Sequence, residues 1–463
     1  MASLVPTLSC TLSRLNLVAE LSHSQHTLKL FRALSSTLTP HKSLHHPTPF
    51  KSLFSSTSSS SNLVSKDNNL VVLGIETSCD DTAAAVVRGD GEILSQVVSS
   101  QADLLARYGG VAPKMAEEAH SQVIDQVVQD ALDKANLTEA DLSAVAVTIG
   151  PGLSLCLRVG VQKARKIAAI YQLPIVGVHH MEAHALVARL CDRDLQFPFM
   201  ALLISGGHNI LVLARDLGHY LQLGTTIDDA IGEAYDKSAK WLGLDLRRSG
   251  GPAIEELARQ GDAQSVKFSV PMKQHKDCNF SYAGLKTQVK LAIEAKNIDA
   301  AIPYSSANSE DQRHRADIAA SFQRVAVLHL EERCERAIQW ALEIEPSIKH
   351  LVVSGGVASN QYVRARLHEV VARNSLQLVC PPPSLCTDNG VMIAWTGIEN
   401  FRLGRFDPPP PAIEPDGCQL DLRPRWPLGE EYGRGRSIAR SMRTARIHPS
   451  LTALTQASQY KES

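Results

Sequence analysis

The chain has 463 residues, 44% of them hydrophobic and 21% charged, with a formal net charge of −1. That length exceeds one simple core, so two domains are expected, and the balanced charge excludes binding of a polyanion by global basicity. Nine cysteines without a C-x-x-C pair exclude a disulfide framework and a zinc ribbon.

Residues 1–66 stand apart. They hold one acid, Glu20, against Arg14, Lys29, Arg32, Lys42, Lys51 and Lys66, and end near the tract "SSTSSSS". This basic, hydroxylated, acid-poor composition is that of an organelle transit peptide. A short amphipathic stretch, "TLKLFRALSS", favours the mitochondrion, and the serine tract makes a plastid the alternative. No uncharged run reaches about 18 residues without a break, so no membrane span is expected.

From 69 to 98 the pattern is strand, polar turn, strand, turn, strand. Apolar Leu70–Ile75 and Ala83–Val87 flank the polar run Glu76 to Thr82. The same plan returns at 199–224, where Met200–Ile204 and Ile210–Ala214 flank Ser205-Gly206-Gly207-His208-Asn209. Two such hairpins about 130 residues apart suggest duplicated α/β lobes around a cleft. Glycines in the second turn let backbone N–H groups approach a phosphate, although Ser-Gly-Gly in a hairpin is also an ordinary turn.

Between the hairpins lies "VGVHHMEAHALVARL", 176–190. On a helix His180 and His184 sit about 40° apart and share a face that suits one metal ion. In the zinc-protease signature the glutamate follows the first histidine directly. Here Glu182 lies about 200° from His180 around the helix, on the far side. Half of the motif is present. Chance pairing remains open at this point, because the chain contains 17 histidines.

Further along, 225–244 reads as an amphipathic helix carrying Asp228, Asp229, Glu233 and Asp236, followed by Gly250, Gly251 and Glu255. Acids beside a glycine turn suit ribose hydroxyls; a solvated acidic face is the other reading, preferred for Asp228 and Asp229. "YSSANSEDQRHR" reads as an exposed loop and 316–345 as a core helix. A strand at Leu351–Val353 enters Ser354-Gly355-Gly356, with a helix beginning near Ser359-Asn360. Asn360 either faces a nucleoside or caps that helix. Asp388-Asn389-Gly390 is a turn before another helix, where an aspartate most often caps.

Six segments, "LGIETSCDDTAAAVV", "GVHHMEAHALVA", "LLISGGHN", "IDDAIGEAYDKSAKWLGL", "LVVSGGVASNQYVR" and "CTDNGVMIA", occur in this order. Together they resemble the TsaD/Gcp family of tRNA adenosine threonylcarbamoyltransferases, once described as O-sialoglycoprotein endopeptidases. The resemblance spans 70–428, ends at "RPRWPL", and with the leader is similar to an organellar member. It implies an α/β, actin-like and sugar-kinase-like ATPase fold of two RNase-H-like lobes around a nucleotide cleft. The implied metal ligands are His180, His184 and Asp388, holding one divalent iron or zinc. The implied nucleotide contacts are Leu203, Ile204, Ser205, Gly206, Gly207, Asp236, Gly251, Glu255 and Asn360, and the implied catalytic residue is the carboxylate of Asp80.

The resemblance also implies a reaction: transfer of threonylcarbamoyl from threonylcarbamoyl-AMP, supplied by a separate synthase, to N6 of adenosine 37 in tRNA. A homodimer is the implied assembly. The expected division is a leader at 1–66, a first lobe at 67–178 with 392–428 packing back on it, a second lobe at 179–391, and a basic disordered tail at 429–463. A metalloprotease and a non-catalytic nucleotide-binding scaffold are the alternatives. Three departures from the family pattern stand out: Asp81 where relatives often have Glu, Lys114-Met115 in the "GGVAPKMAEEAH" loop, and two extra residues in "LGLDLRRSGG".

Overall fold

The computed structural model describes residues 69–101, 112–246, 249–412 and 420–434. The expected leader at 1–66 therefore lies outside the described residues.

The first hairpin forms β1 (Val71–Glu76), β2 (Asp81–Arg88) and β3 (Ile93–Ser100), an antiparallel meander. β4 (Ala144–Gly150) adds parallel to β1, and β5 (Ile175–His179) adds parallel to β4, giving the order β3-β2-β1-β4-β5. Strand periodicity sorts the side chains. Leu73, Ile75, Ala84 and Val86 face α1 (Pro113–Ala135) and α2 (Ser154–Tyr171). Val72, Ala85, Val87 and Ala146 face the other way, into a second core.

The second hairpin repeats the plan. β6 (Phe199–Ile204), β7 (Asn209–Asp216) and β8 (His219–Thr225) form a meander, and β9 (His350–Ser354) and β10 (Gln377–Val379) add in parallel. One face of this sheet packs on α4 (Ile231–Trp241), α5 (Gly250–Ala258), α6 (Ala283–Ala295) and α7 (Ser309–Ile344). The duplicated sheet order is that of the actin-like, two-lobed fold that the sequence suggested.

Two helices occupy the core shared by the sheets. They are α3 (His180–Cys191), which follows β5 without a linker, and α10 (Gly390–Arg402), which returns from the far end of the chain. Ten of the twelve residues of α3 are buried, as a helix enclosed on all sides requires. α10 lies so close to β1 that a Cβ on Gly74 would stand 2.3 Å from both Ala394 N and Gly390 O. Only glycine permits that contact. α8 (Gln361–Arg373) and the short α9 (Pro383–Cys386) complete the second sheet's surroundings.

Three expectations need correction. The stretch read as a loop before 316 is a short 3-10 turn at Tyr304–Ser306 and then the start of α7. Asn308 caps that helix by accepting from Asp311 N at 2.9 Å. Arg315, one turn on, is fully buried, with its guanidinium on Asp311 and the carbonyls of Leu242, Asp299 and Ile302. The helix read at 225–244 is shorter, because Asp228 accepts from Tyr282 N and from the Ser281 hydroxyl, tying that stretch to the start of α6. The tail read from 429 begins with β11 (Glu430–Glu431), paired parallel to β8. Within the described part, Arg434 pairs with Glu343; the rest of the tail, from 435, lies outside the described residues. None of the described helices is long and apolar enough to cross a membrane.

Because the α10–β1 contact leaves no room for a methyl, Gly74→Ala is expected to cost about 1–3 kcal/mol or more of stability. Thermal denaturation beside the parent protein measures it, and an unchanged Tm would contradict the packing account.

Candidate metal centre and nucleotide cleft

β5 ends at His179, whose own side chain caps α3. Its Nδ1 accepts from Met181 N at 3.1 Å and Glu182 N at 3.4 Å, and Nε2–H donates to Trp426 O at 3.0 Å. Burial, helped by the nearby His180, pushes His179 down to about 4, so it stays neutral. His180 and His184 follow on one helix face with rings 4.7 Å apart.

Asp388 arrives from 204 residues away, just ahead of α10. Asn389 caps that helix, accepting from Met392 N at 2.9 Å, so Asp388 is left free to point at the histidines. Its Oδ1 lies 3.1 Å from His184 Nε2 and 3.6 Å from His180 Nε2. The ligand-type atoms of His180, His184 and Asp388 all fall within 4.8 Å of one another. His184 Nδ1 is buried without a hydrogen-bond partner. Two imidazoles and one carboxylate converging in this way fit a divalent ion with open coordination positions.

Behind His180 stands Glu76, a fully buried carboxylate at the end of β1. It takes the Thr148 hydroxyl, Ser78 N and, at 3.2 Å, His180 Nδ1–H. A carboxylate on the outer nitrogen fixes a ligand histidine's ring and tautomer. Burial disfavours charge on His180, but the carboxylates of Asp388 and Glu76 outweigh it and bring its pKa up to about 9. Burial likewise acts against an ionised Asp388; the two histidines outweigh it and hold that carboxyl below its ordinary range. The cluster thus balances its own charge.

The loop after Glu76 carries Asp80. Burial raises its pKa, with the Asp388 charge adding to the effect. Asp81, at the start of β2, keeps Oδ1 buried without a partner, and burial together with Asp80 pushes it up to about 7. From α1, fully buried His120 clamps this loop: Nε2–H donates to Cys79 O at 3.1 Å, and Nδ1 accepts the Thr82 hydroxyl at 2.7 Å.

In the second sheet, Leu203 and Ile204 end β6 just before the glycine turn, with side chains buried on opposite faces. Ser205 N donates to His208 O, and His208 N to Ser205 Oγ. A Cβ added to Gly206 or Gly207 would meet nothing within 4 Å, so both glycines border open space. Asp236 on α4 accepts Gly250 N at 2.7 Å, and Gly251, next in α5, also borders open space. Burial raises Asp236, with the charge of Asp80 adding to it. Glu255 accepts Gln361 N at 3.0 Å, joining α5 to the start of α8.

Asn360 is a cap. Its Oδ1 accepts Val363 N at 3.0 Å and its amide donates to Gln323 at 3.2 Å, so both ends of the side chain are engaged. Of the two readings of Asn360, the geometry favours the helix cap.

Sequence reasoning missed Glu76, His120 and His208. His208 lies under the charges of His180, His184 and Asp388, although burial is the main cause that takes it down to about 4. A buried acid at the end of an otherwise apolar strand was the available signal for Glu76. The protease alternative loses its base, because buried Glu182 accepts Gly218 N at 2.9 Å, at the β7–β8 turn.

A family model described as TsaD, tRNA N6-adenosine threonylcarbamoyltransferase, matches residues 92–395. The chain belongs to the TsaD family. It is 80% identical to a probable mitochondrial tRNA N6-adenosine threonylcarbamoyltransferase of Arabidopsis thaliana, over 84% of this chain and 82% of that one. It is 46% identical to a tRNA N6-adenosine threonylcarbamoyltransferase of Rhizobium etli, over 77% of this chain and 94% of that one. Among solved structures it is similar to component A of the (R)-2-hydroxyglutaryl-CoA dehydratase of Acidaminococcus fermentans, with a TM-score of 0.43 and 14% identity, covering 72% of this chain and 98% of that one.

Glu76→Gln is expected to weaken zinc binding about 10- to 100-fold, the usual cost of losing a carboxylate behind a ligand histidine. Competition against a chromogenic chelator reads this directly, with Glu182→Gln as the control that leaves affinity unchanged.

Proposed function

We propose that this TsaD family member transfers threonylcarbamoyl from threonylcarbamoyl-AMP to N6 of adenosine 37 in tRNAs reading codons that begin with A, releasing AMP, and that it works in the mitochondrion. The observation that carries the reading is a His-His-Asp cluster whose charges act on His208, in the same turn as Gly206 and Gly207, which border open space.

An adenine amino group is a weak nucleophile, so the carbamoyl carbonyl has to be activated. A divalent iron or zinc on His180, His184 and Asp388 would supply Lewis acidity for that purpose. Glu76 orients His180, and His120 holds the loop that presents Asp80. Backbone N–H groups of Gly206 and Gly207, with the Ser205 hydroxyl beside them, suit the AMP phosphate, with negative charge stabilised by donors already in place. Asp236 and Glu255, on adjoining helices, suit the ribose hydroxyls, and Gly251 leaves them room. Asp80 is the group suited to take the proton that N6 gives up. Adenosine 37 lies in a single-stranded loop, so presenting its base breaks little pairing.

The two sheets support a division into a first lobe, 67–178 together with 392–428, and a second lobe, 179–391. A separate synthase is the source of the activated donor, because its anhydride requires a nucleotide-activating reaction. A scaffold that had lost catalysis would not need a charge-balanced metal cluster behind an open glycine turn.

The test uses the protein with fresh threonylcarbamoyl-AMP and unmodified tRNA, followed by mass spectrometry of the digested nucleosides. Threonylcarbamoyladenosine is expected from the parent. Product is expected to fall by at least about 100-fold in His180→Ala, the scale of losing one electrostatic contribution to a transition state. Nucleotide binding without product in the parent would favour the scaffold.

A further inference from the structure

We propose that residues 420–434 form a brace that positions the metal-bearing helix through His179 and Trp426, an inference that rests on the reading of His180, His184 and Asp388 as metal ligands. The segment lies beyond the part of the chain matched by the family model. Its first half is fixed to the first sheet. Arg423 N donates to Ile149 O at 2.7 Å, Gly152 N donates to Pro424 O at 3.2 Å, and Leu420, Leu422 and Trp426 pack on that lobe's outer core. Its second half is fixed to the other sheet, where β11 pairs with β8 and Tyr432 meets Trp340 of α7 edge to face.

Between these anchors the brace touches the root of α3. Trp426 O accepts His179 Nε2–H, and the two rings lie 4.5 Å apart at 49°. His179 is 4% exposed and has nowhere else to turn. Its other nitrogen holds the N–H groups of Met181 and Glu182 in the first turn of α3, and the next residue is a ligand. One imidazole therefore joins the brace to the helix end. A shift of Trp426 moves His179, the α3 N-terminus and His180 together.

A plain capping role predicts something different. Asparagine keeps a side-chain acceptor at the Nδ1 position and remains a good N-cap, but it cannot reach Trp426 O. His179→Asn thus separates the two roles, and Trp426→Ala loosens the same contact from the brace side. The full chain, as parent, His179→Asn, Trp426→Ala and the double variant, is titrated with Zn(II) against a chromogenic chelator. His180→Ala sets the background, and melting curves confirm the folded fraction.

Zinc affinity is expected to fall about tenfold in each single variant, as for other partners lying behind metal ligands. The double variant is expected to be no weaker than the singles, because both act on one contact, His179→Asn by removing its donor and Trp426→Ala by removing the ring that packs against it. Parent-like affinity in His179→Asn would overturn the brace and leave only a cap. Independent, multiplying losses would overturn it as well. A parent that binds zinc no better than His180→Ala would instead remove the metal reading on which the inference stands.

Discussion

The contact between α10 and β1 at Gly74 governs the rest of the cleft. Asp388 is the residue two before α10, so its position is set by where that helix lands. The helix lands close because β1 offers a hydrogen where another strand would offer a side chain, and on β4 the helix returns the arrangement, with Gly397 facing the Ala146 methyl. This draws a carboxylate from late in the chain to within hydrogen-bond distance of His184. Without it, His180 and His184 would be two buried imidazoles on a helix with no third donor. The sheet-to-helix spacing and the ligand set are one constraint.

Enclosure explains the electrostatics. α3 and α10 lie in the core shared by both sheets, where water cannot compensate a charge. Two histidines and two carboxylates survive there because each offsets the other: Glu76 and Asp388 raise His180, and the histidines lower Asp388. A buried charge without a partner would cost several kcal/mol. Asp80 and Asp81 are both shifted upward chiefly by burial, with the His120 charge pulling Asp80 part of the way back. A carboxylate whose basicity burial raises, beside this cluster, suits acceptance of a proton, the part the proposed chemistry assigns to Asp80.

The duplicated strand plan was legible in the residues because both hairpins alternate apolar runs with a polar turn, and because a short apolar run reads plainly as a buried strand. His180 and His184 were legible because helical spacing alone puts them on one face. Asp388 was not: nothing local joins a turn aspartate to histidines 204 residues earlier, and only the family resemblance named it. Glu76 reads as turn polarity in sequence, since its role lies in a contact with His180 across the sheet. The start of α7 was hidden for a related reason. "SEDQRHR" is polar enough for a loop, yet Arg315 is buried on carbonyls supplied by distant segments. Asn360 shows the opposite limit, where a local cap and a ligand look the same in sequence until Gln323 appears opposite it.

The central claim, that His180, His184 and Asp388 act together on one ion in the nucleotide cleft, is tested most directly by anomalous diffraction from crystals grown with zinc and an AMP analogue. The account predicts one strong anomalous peak about 2.0–2.2 Å from an imidazole nitrogen of each histidine and an oxygen of Asp388, with the phosphate beside the Ser205–Gly207 turn. A cleft that holds the nucleotide while Asp388 stays hydrogen-bonded to His184, with no peak between them, would contradict it.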